Sequence, residues 1–149
     1  MPQSKSEKIV RRVIRDLWND GKTTAIDDLY DSDLSVHVPG NNFKGRDGIQ
    51  QFIGMYHEAF PDLQVDIQGF YPDESDAGGV LHWKFTGTHK GDLMGLAPTN
   101  QELSIEGMTL SRIENGKIVE ETYLWDRLNQ LNQLGVSPRE FTGPRDYQG

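Results

Sequence analysis

The stretch over residues 101–125, QELSIEGMTLSRIENGKIVEETYLW, reads as two β-strands joined by Asn115 and Gly116. Both central positions of a tight hairpin turn need positive φ, which Asn and Gly tolerate, so the dipeptide fixes a hairpin here. Uninterrupted pairing from that turn sets Glu114 opposite Lys117, Thr109 opposite Thr122 and Ile105 opposite Asp126. Met108, Leu110, Val119, Tyr123 and Trp125 then fall on the other face. Both faces carry apolar side chains and both need cover. Helices against one face and a second subunit against the other satisfy this, so a homodimer is expected. In this register Tyr123 and Trp125 face away from Asp126 unless a bulge intervenes.

Upstream of the hairpin, residues 80–88 form a long strand after a polar turn at 72–79, and Leu63, Val65 and Ile67 alternate with polar residues in another. Helical periodicity dominates the first 60 residues. Ile9, Val10, Val13, Ile14, Leu17 and Trp18 mark an amphipathic helix stopped by Gly21. Thr24 and Asp27 resemble the cap of a short second helix. Leu34, Val36 and Val38 alternate with Ser35 and His37 in a short strand, followed by a turn at Asn41 and Asn42. Ile49, Phe52, Ile53, Tyr56 and Phe60 define a third helix from about Arg46, ended by Pro61. After Asp126, Leu128, Leu131 and Leu134 make one side of a terminal helix before Gly135. Helices first and hairpin-linked strands after them give an α+β class with a mostly antiparallel sheet, one domain over residues 1–135 and a tail over 136–149. A length of 149 residues fits a single core.

Composition narrows the chemistry. Lys and Arg number 15 against 23 Asp and Glu, a net charge of −8 that disfavours nucleic acid as a partner. The absence of cysteine removes disulfides, thiolate nucleophiles and Cys-ligated metals. No apolar run reaches the ~18 residues of a membrane helix and no signal-like segment opens the sequence, so the expected location is cytoplasmic, without membrane association. Gly21, Lys22 and Thr23 end like a phosphate-binding loop, but Asp16 occupies the first glycine position. No serine lies in a nucleophile elbow, and the four histidines show no metal-ligand spacing. What remains for catalysis is carboxylate, His, Tyr, Ser or Lys.

His89 shares the strand face of Leu81, Trp83 and Phe85, an aromatic setting that perturbs a titratable ring. His37 lies opposite Leu34, Val36 and Val38. Asp126 immediately precedes a helix, and Asp is a preferred N-cap there. Trp18, Tyr56, Trp83, Met94, Met108, Tyr123 and Trp125 supply aromatic and thioether surface for a pocket wall, or for ordinary core packing.

The runs FTGTHKGDLMGLAPTNQEL (residues 85–103) and SRIENGKIVEETYLWDRLNQLNQLG (111–135) resemble the SnoaL-like polyketide cyclase family, of the nuclear transport factor 2-like fold. LWNDGKTTAIDDLY (17–30), VHVPG (36–40) and AFPDLQVDI (59–67) extend the resemblance upstream, although Asn100 stands where the family commonly has glycine. The resemblance implies a cone-shaped, curved, mostly antiparallel sheet that encloses a cavity with the N-terminal helices. It implies Asp126 as the acid/base of an intramolecular aldol cyclisation, or of related isomerase or lyase chemistry, on a small hydrophobic carbonyl compound. A carboxyl in an apolar cavity suits this work, because desolvation lifts its pKa toward neutrality. No metal or organic cofactor is then needed, and His89 and His37 would orient or polarise a substrate oxygen. The alternative is a binding module of the same fold that holds a small ligand or a protein partner without turning it over.

Overall fold

The first helix begins where the sequence supplies a cap: Ser4 Oγ accepts the Glu7 amide at 3.0 Å, opening α1 (Lys5–Arg12). The structure is a computed structural model that describes residues 3–136. The tail expected over 136–149 therefore lies, except for Val136, outside the described residues. α1 continues as a π-helical segment, Val13–Asn19, which buries Val13, Ile14, Leu17 and Trp18 and ends before Gly21 at φ +66°. A 3₁₀ turn, Thr23–Ala25, leads into the short α2 (Ile26–Leu29). The cap expected from Thr24 does not form; no side chain caps either segment.

The first strand, β1 (Tyr30–Val38), is longer than its alternation suggested and turns at Gly40, φ +81°, into β2 (Asn41–Lys44). Asn41 and Asn42 thus sit in a strand and not in the turn, because the glycine just before them takes the positive φ that the turn requires. α3 (Gly45–Ala59) follows and stops before Pro61. The remaining strands are β3 (Gln64–Pro72), β4 (Gly78–Thr88), β5 (Glu102–Glu114) and β6 (Lys117–Trp125), and α4 (Arg127–Gln133) closes the described chain. No helix is long and apolar enough to cross a membrane among the described residues.

The strands form one six-stranded sheet in the order β2-β1-β6-β5-β4-β3. Every neighbouring pair is antiparallel except β1 and β6, which run parallel. Irregularities in register interrupt the β1–β6, β3–β4 and β5–β6 pairings, and such interruptions bend and twist strands. The sheet curves around α1, the π segment and α3, whose apolar faces meet its inner side in a single core. At the far end of α1, Ser6 Oγ donates to the Asp76 carbonyl at 2.7 Å and accepts the Gly78 amide at 3.0 Å, tying the helix to the β3–β4 turn.

One bulge reassigns the inner face. The hairpin starts as expected, with Glu114 opposite Lys117 and Ile113 opposite Ile118, but Arg112 pairs with Glu120 and leaves Val119 without a partner. Beyond it the pairs are Ser111–Glu121, Thr109–Tyr123 and Gly107–Trp125, one residue off the uninterrupted register. Ile118 packs inward before the bulge, and Glu121 and Tyr123 are buried after it. Met108 and Leu110 do not share the face of Tyr123 and Trp125. They lie on the outer side at 48% and 44% exposure, beside Leu124 at 53%.

Gly107 faces inward between Trp83 and Trp125, where a Cβ would run into the Trp83 ring and the Leu124 carbonyl. Overpacking of this kind costs about 1–3 kcal/mol. Gly107→Ala is expected to lose that much unfolding free energy in urea titration; an unchanged midpoint would mean that the Trp83 ring has room to move.

Candidate functional site

Between the helices and the concave sheet lies a cavity with about 40 Å³ in which the centre of a water molecule fits, against the ~10–15 Å³ that a single water needs. The π segment contributes Trp18, α3 contributes Phe52 and Tyr56, and the strands contribute Trp83, Tyr123 and Trp125. These rings pack edge to face: Trp18 against Phe52 at 5.7 Å between centroids, and Phe52 against Tyr123 at 5.1 Å. Against this apolar lining the polar groups are few. They are Thr109, Ser111, Glu121 and the tyrosine hydroxyls, all but Tyr56 held by β1, β5 and β6.

Glu121 is the only charged residue among those that line the cavity, and it is 2% exposed. Tyr123 donates to Oε1 at 2.9 Å and Tyr30 donates to Oε2 at 3.0 Å, so each carboxylate oxygen accepts one phenol. Burial pushes the carboxyl up to about 7, and the two tyrosine hydrogen bonds, which favour the ionised form, offset part of that rise. Burial and the neighbouring Glu121 carboxylate raise both tyrosines well above their usual value, so they stay protonated donors. A carboxyl near 7 in a dry pocket exchanges a proton in either direction at neutral pH, the property that general acid/base work requires. Ser111 stands directly across the β5–β6 pair from Glu121, while Thr109 Oγ1 accepts the Trp83 indole N–H at 2.9 Å.

The residues picked out in the sequence disperse. Trp18, Tyr56, Trp83, Tyr123 and Trp125 line the cavity. Met108 is on the outer face, because β5 alternates and Gly107 and Thr109 hold the inward positions. Met94 lies in the loop after β4 and borders a separate, shallower chamber. Asp126 is exposed and caps α4, its Oδ1 accepting the Asn129 amide at 2.9 Å. The bulge at Val119 puts Trp125 on the inner side, and the strand ends before Asp126.

Neither histidine lines the cavity. His37 is on the outer face of β1, bonded to Asn42 at 2.8 Å and Glu120 at 3.0 Å; these partners, Asn42 foremost, raise its pKa. His89 is fully buried against Phe60, with Nδ1 bonded to the Thr99 hydroxyl at 3.0 Å and amide at 3.2 Å, and burial lowers its pKa. Its Nε2 has no hydrogen-bond partner among the described residues. No group of three or more His, Asp or Glu that would hold a metal occurs among the described residues. Glu121 and Tyr30 escape a reading of the sequence because both depend on the bulge and on the parallel β1–β6 pairing. The adjacent carboxylates Glu120 and Glu121, in a strand that alternates elsewhere, are the one signal that a residue of this kind had to face inward.

The family model of SnoaL-like polyketide cyclases matches residues 8–134. Among solved structures, a candidate SnoaL-like polyketide cyclase from Jannaschia sp. CCS1 superposes with a TM-score of 0.82 at 20% identity, over 93% of this chain and 97% of that one. A candidate polyketide cyclase from Acidithiobacillus ferrooxidans gives 0.78 at 28% identity, over 91% and 97%. A protein of ketosteroid isomerase-like fold from Catenulispora acidiphila, in complex with trimethylamine, gives 0.75 at 18% identity, over 92% and 98%. No curated protein matches this chain.

The raised carboxyl has a signature in stability. The folded protein keeps a proton on Glu121 between the ordinary glutamate value of 4.5 and about 7, where the unfolded chain gives it up. The stability it contributes is therefore complete below 4.5 and is lost as pH rises through 7. Replacing Glu121 by Gln removes this dependence. Across pH 4.5 to 8 the difference in unfolding free energy is expected to shift in favour of Glu121→Gln by up to roughly 3 kcal/mol. A difference independent of pH, in urea titrations at several pH values, would contradict the raised carboxyl.

Proposed function

We propose that this chain, which belongs to the SnoaL-like polyketide cyclase family, is a cofactor-independent acid/base enzyme acting on a hydrophobic carbonyl compound, with Glu121 as the group that moves the proton. One observation carries the reading: a lone carboxyl, raised to about 7, faces an otherwise apolar cavity. A Glu121 oxygen takes a proton from the carbon next to a carbonyl. The C–H electron pair moves into a new C=C bond, and the carbonyl π pair moves onto its oxygen. When that carbon bonds to a second carbonyl in the same molecule, the second oxygen receives the proton from Glu121, and the net change is an isomerisation that closes a ring. Tyr30 and Tyr123 hold the carboxylate in place and temper its basicity through their hydrogen bonds. The role first read at Asp126 passes to Glu121, because Asp126 is spent on the α4 amides, outside the cavity lining.

The unknown substrate need not delay a test. The methyl hydrogens of 2-acetylnaphthalene lie next to a carbonyl and exchange with D₂O once a base reaches them, which NMR reads directly. The protein is expected to accelerate that exchange, and Glu121→Gln to lower the acceleration by ~10²- to 10⁴-fold. Asp126→Asn keeps the cap and is expected to stay within a few-fold of wild type. Binding of the ketone without exchange would favour the non-catalytic module, and loss of exchange in Asp126→Asn alone would return the role to Asp126.

The same reading makes the protein a homodimer through its outer face. Met108 and Leu124 pair directly across β5 and β6, with Leu110 beside them, so three exposed apolar side chains form one patch. His82 with Glu106 and His37 with Glu120 border it with polar pairs, the apolar centre and polar rim common in subunit contacts. A two-fold contact places Leu124 near the patch of its own copy. Leu124→Lys is expected to halve the mass in sedimentation; a wild-type monomer at tens of micromolar would remove this part of the reading.

A further inference from the structure

Next to the cavity is a second, outward chamber with about 80 Å³ open to water centres, bounded by the Pro39–Gly40 turn, the loop carrying Met94 and the start of α4. Phe52, Tyr56 and Trp125 face both spaces. The two are linked by bonding as well: the Trp125 indole N–H donates to Gln130 Oε1 at 2.9 Å, and Gln130 Nε2 donates to the Tyr56 hydroxyl at 3.3 Å. Their charges are opposite. Among the described lining residues Glu121 is the only charge of the inner cavity and Arg127 the only charge of the outer chamber.

Arg127 is held in place by the fold. Its Nη1 donates to the Pro39 carbonyl at 3.4 Å and lies where a Cβ on Gly40 would sit, so the β1–β2 turn makes a seat for the guanidinium. A cation fixed at the rim of an apolar site, on a chain of net charge −8, is a specific investment in an anion. A guanidinium fork also matches a carboxylate in two-point geometry.

We infer that the outer chamber is the polar half of one ligand site, and that the natural ligand is an amphipathic ketone whose rings lie in the cavity while a carboxylate or similar oxyanion reaches past the half-buried Trp125 to Arg127. This extends the acid/base reading by naming the charge on its substrate, and it rests on that reading only for which end reacts.

Two probes differing by one group test it: neutral 2-acetylnaphthalene and 6-acetyl-2-naphthoate, which adds a carboxylate at the far end of the same rings. Affinities are measured by calorimetry on the full-length protein. The carboxylate is expected to tighten binding by about 10-fold in wild type, and Arg127→Gln to erase the gap while the neutral ketone stays within twofold as the folding control. The wild-type gap should also shrink with added salt. The inference is overturned if the naphthoate binds no tighter than the ketone, as repulsion by the net charge alone would dictate, or if its advantage survives Arg127→Gln. If neither probe binds wild type, the cavity itself is not a ligand site and the inference falls with it. A carboxylate preference lost in Arg127→Gln, beside an exchange rate indifferent to Glu121→Gln, would uphold the anion site and sink only the acid/base assignment.

Discussion

A β-strand alternates, so a single extra residue decides which half of its side chains meets the interior. Val119 is that residue. Without a bulge, the inward set after Ile118 would be Glu120, Thr122 and Leu124, and the core would receive a carboxylate without its tyrosine partners. With it, Glu121, Tyr123 and Trp125 turn inward, and Glu120 goes out to His37 and Arg112. The parallel pairing of β1 beside β6 then brings Tyr30 to the second oxygen of Glu121. The aromatic lining, the buried carboxyl and the placement of Arg127 at the rim all follow from this register.

Burying a carboxyl is costly unless it is bonded, and here the offset is partial. Two phenols satisfy one lone pair on each oxygen, enough to tolerate the ionised form but not to restore its aqueous acidity. More donors would make Glu121 a fixed anion, and fewer would leave it a permanent acid. The intermediate count leaves it divided between both forms at neutral pH. The residue is thus structurally expensive in the way that sites of proton transfer usually are.

Much of the fold was legible because its signals are local. Asn115-Gly116, the stop at Pro61, the helical spacing of Ile49 to Phe60 and the Asp126 cap each depend on neighbours within a few residues, and each is present. The family resemblance supplied the cone and its cavity. The site was less legible for the opposite reason. Inward and outward positions on β6 depend on one unpaired residue that no local pattern marks, so Met108 was placed with Tyr123 when the two face opposite sides. Tyr30 sits 91 residues from Glu121 in sequence and meets it only through a parallel pairing. His37 was on the face opposite Leu34 and Val36 in the sequence pattern itself, and the structure keeps it on the outer side, away from the cavity.

The protein has three tryptophans, and Trp18, Trp83 and Trp125 all face the same cavity. Its entire indole emission therefore originates from the walls of one chamber, with no surface tryptophan to add a constant background. Whatever enters displaces the solvent around these three chromophores, and the charge state of Glu121 alters the field across them. The chain thus carries a built-in optical gauge of occupancy, and its colour and intensity report on the interior without any label.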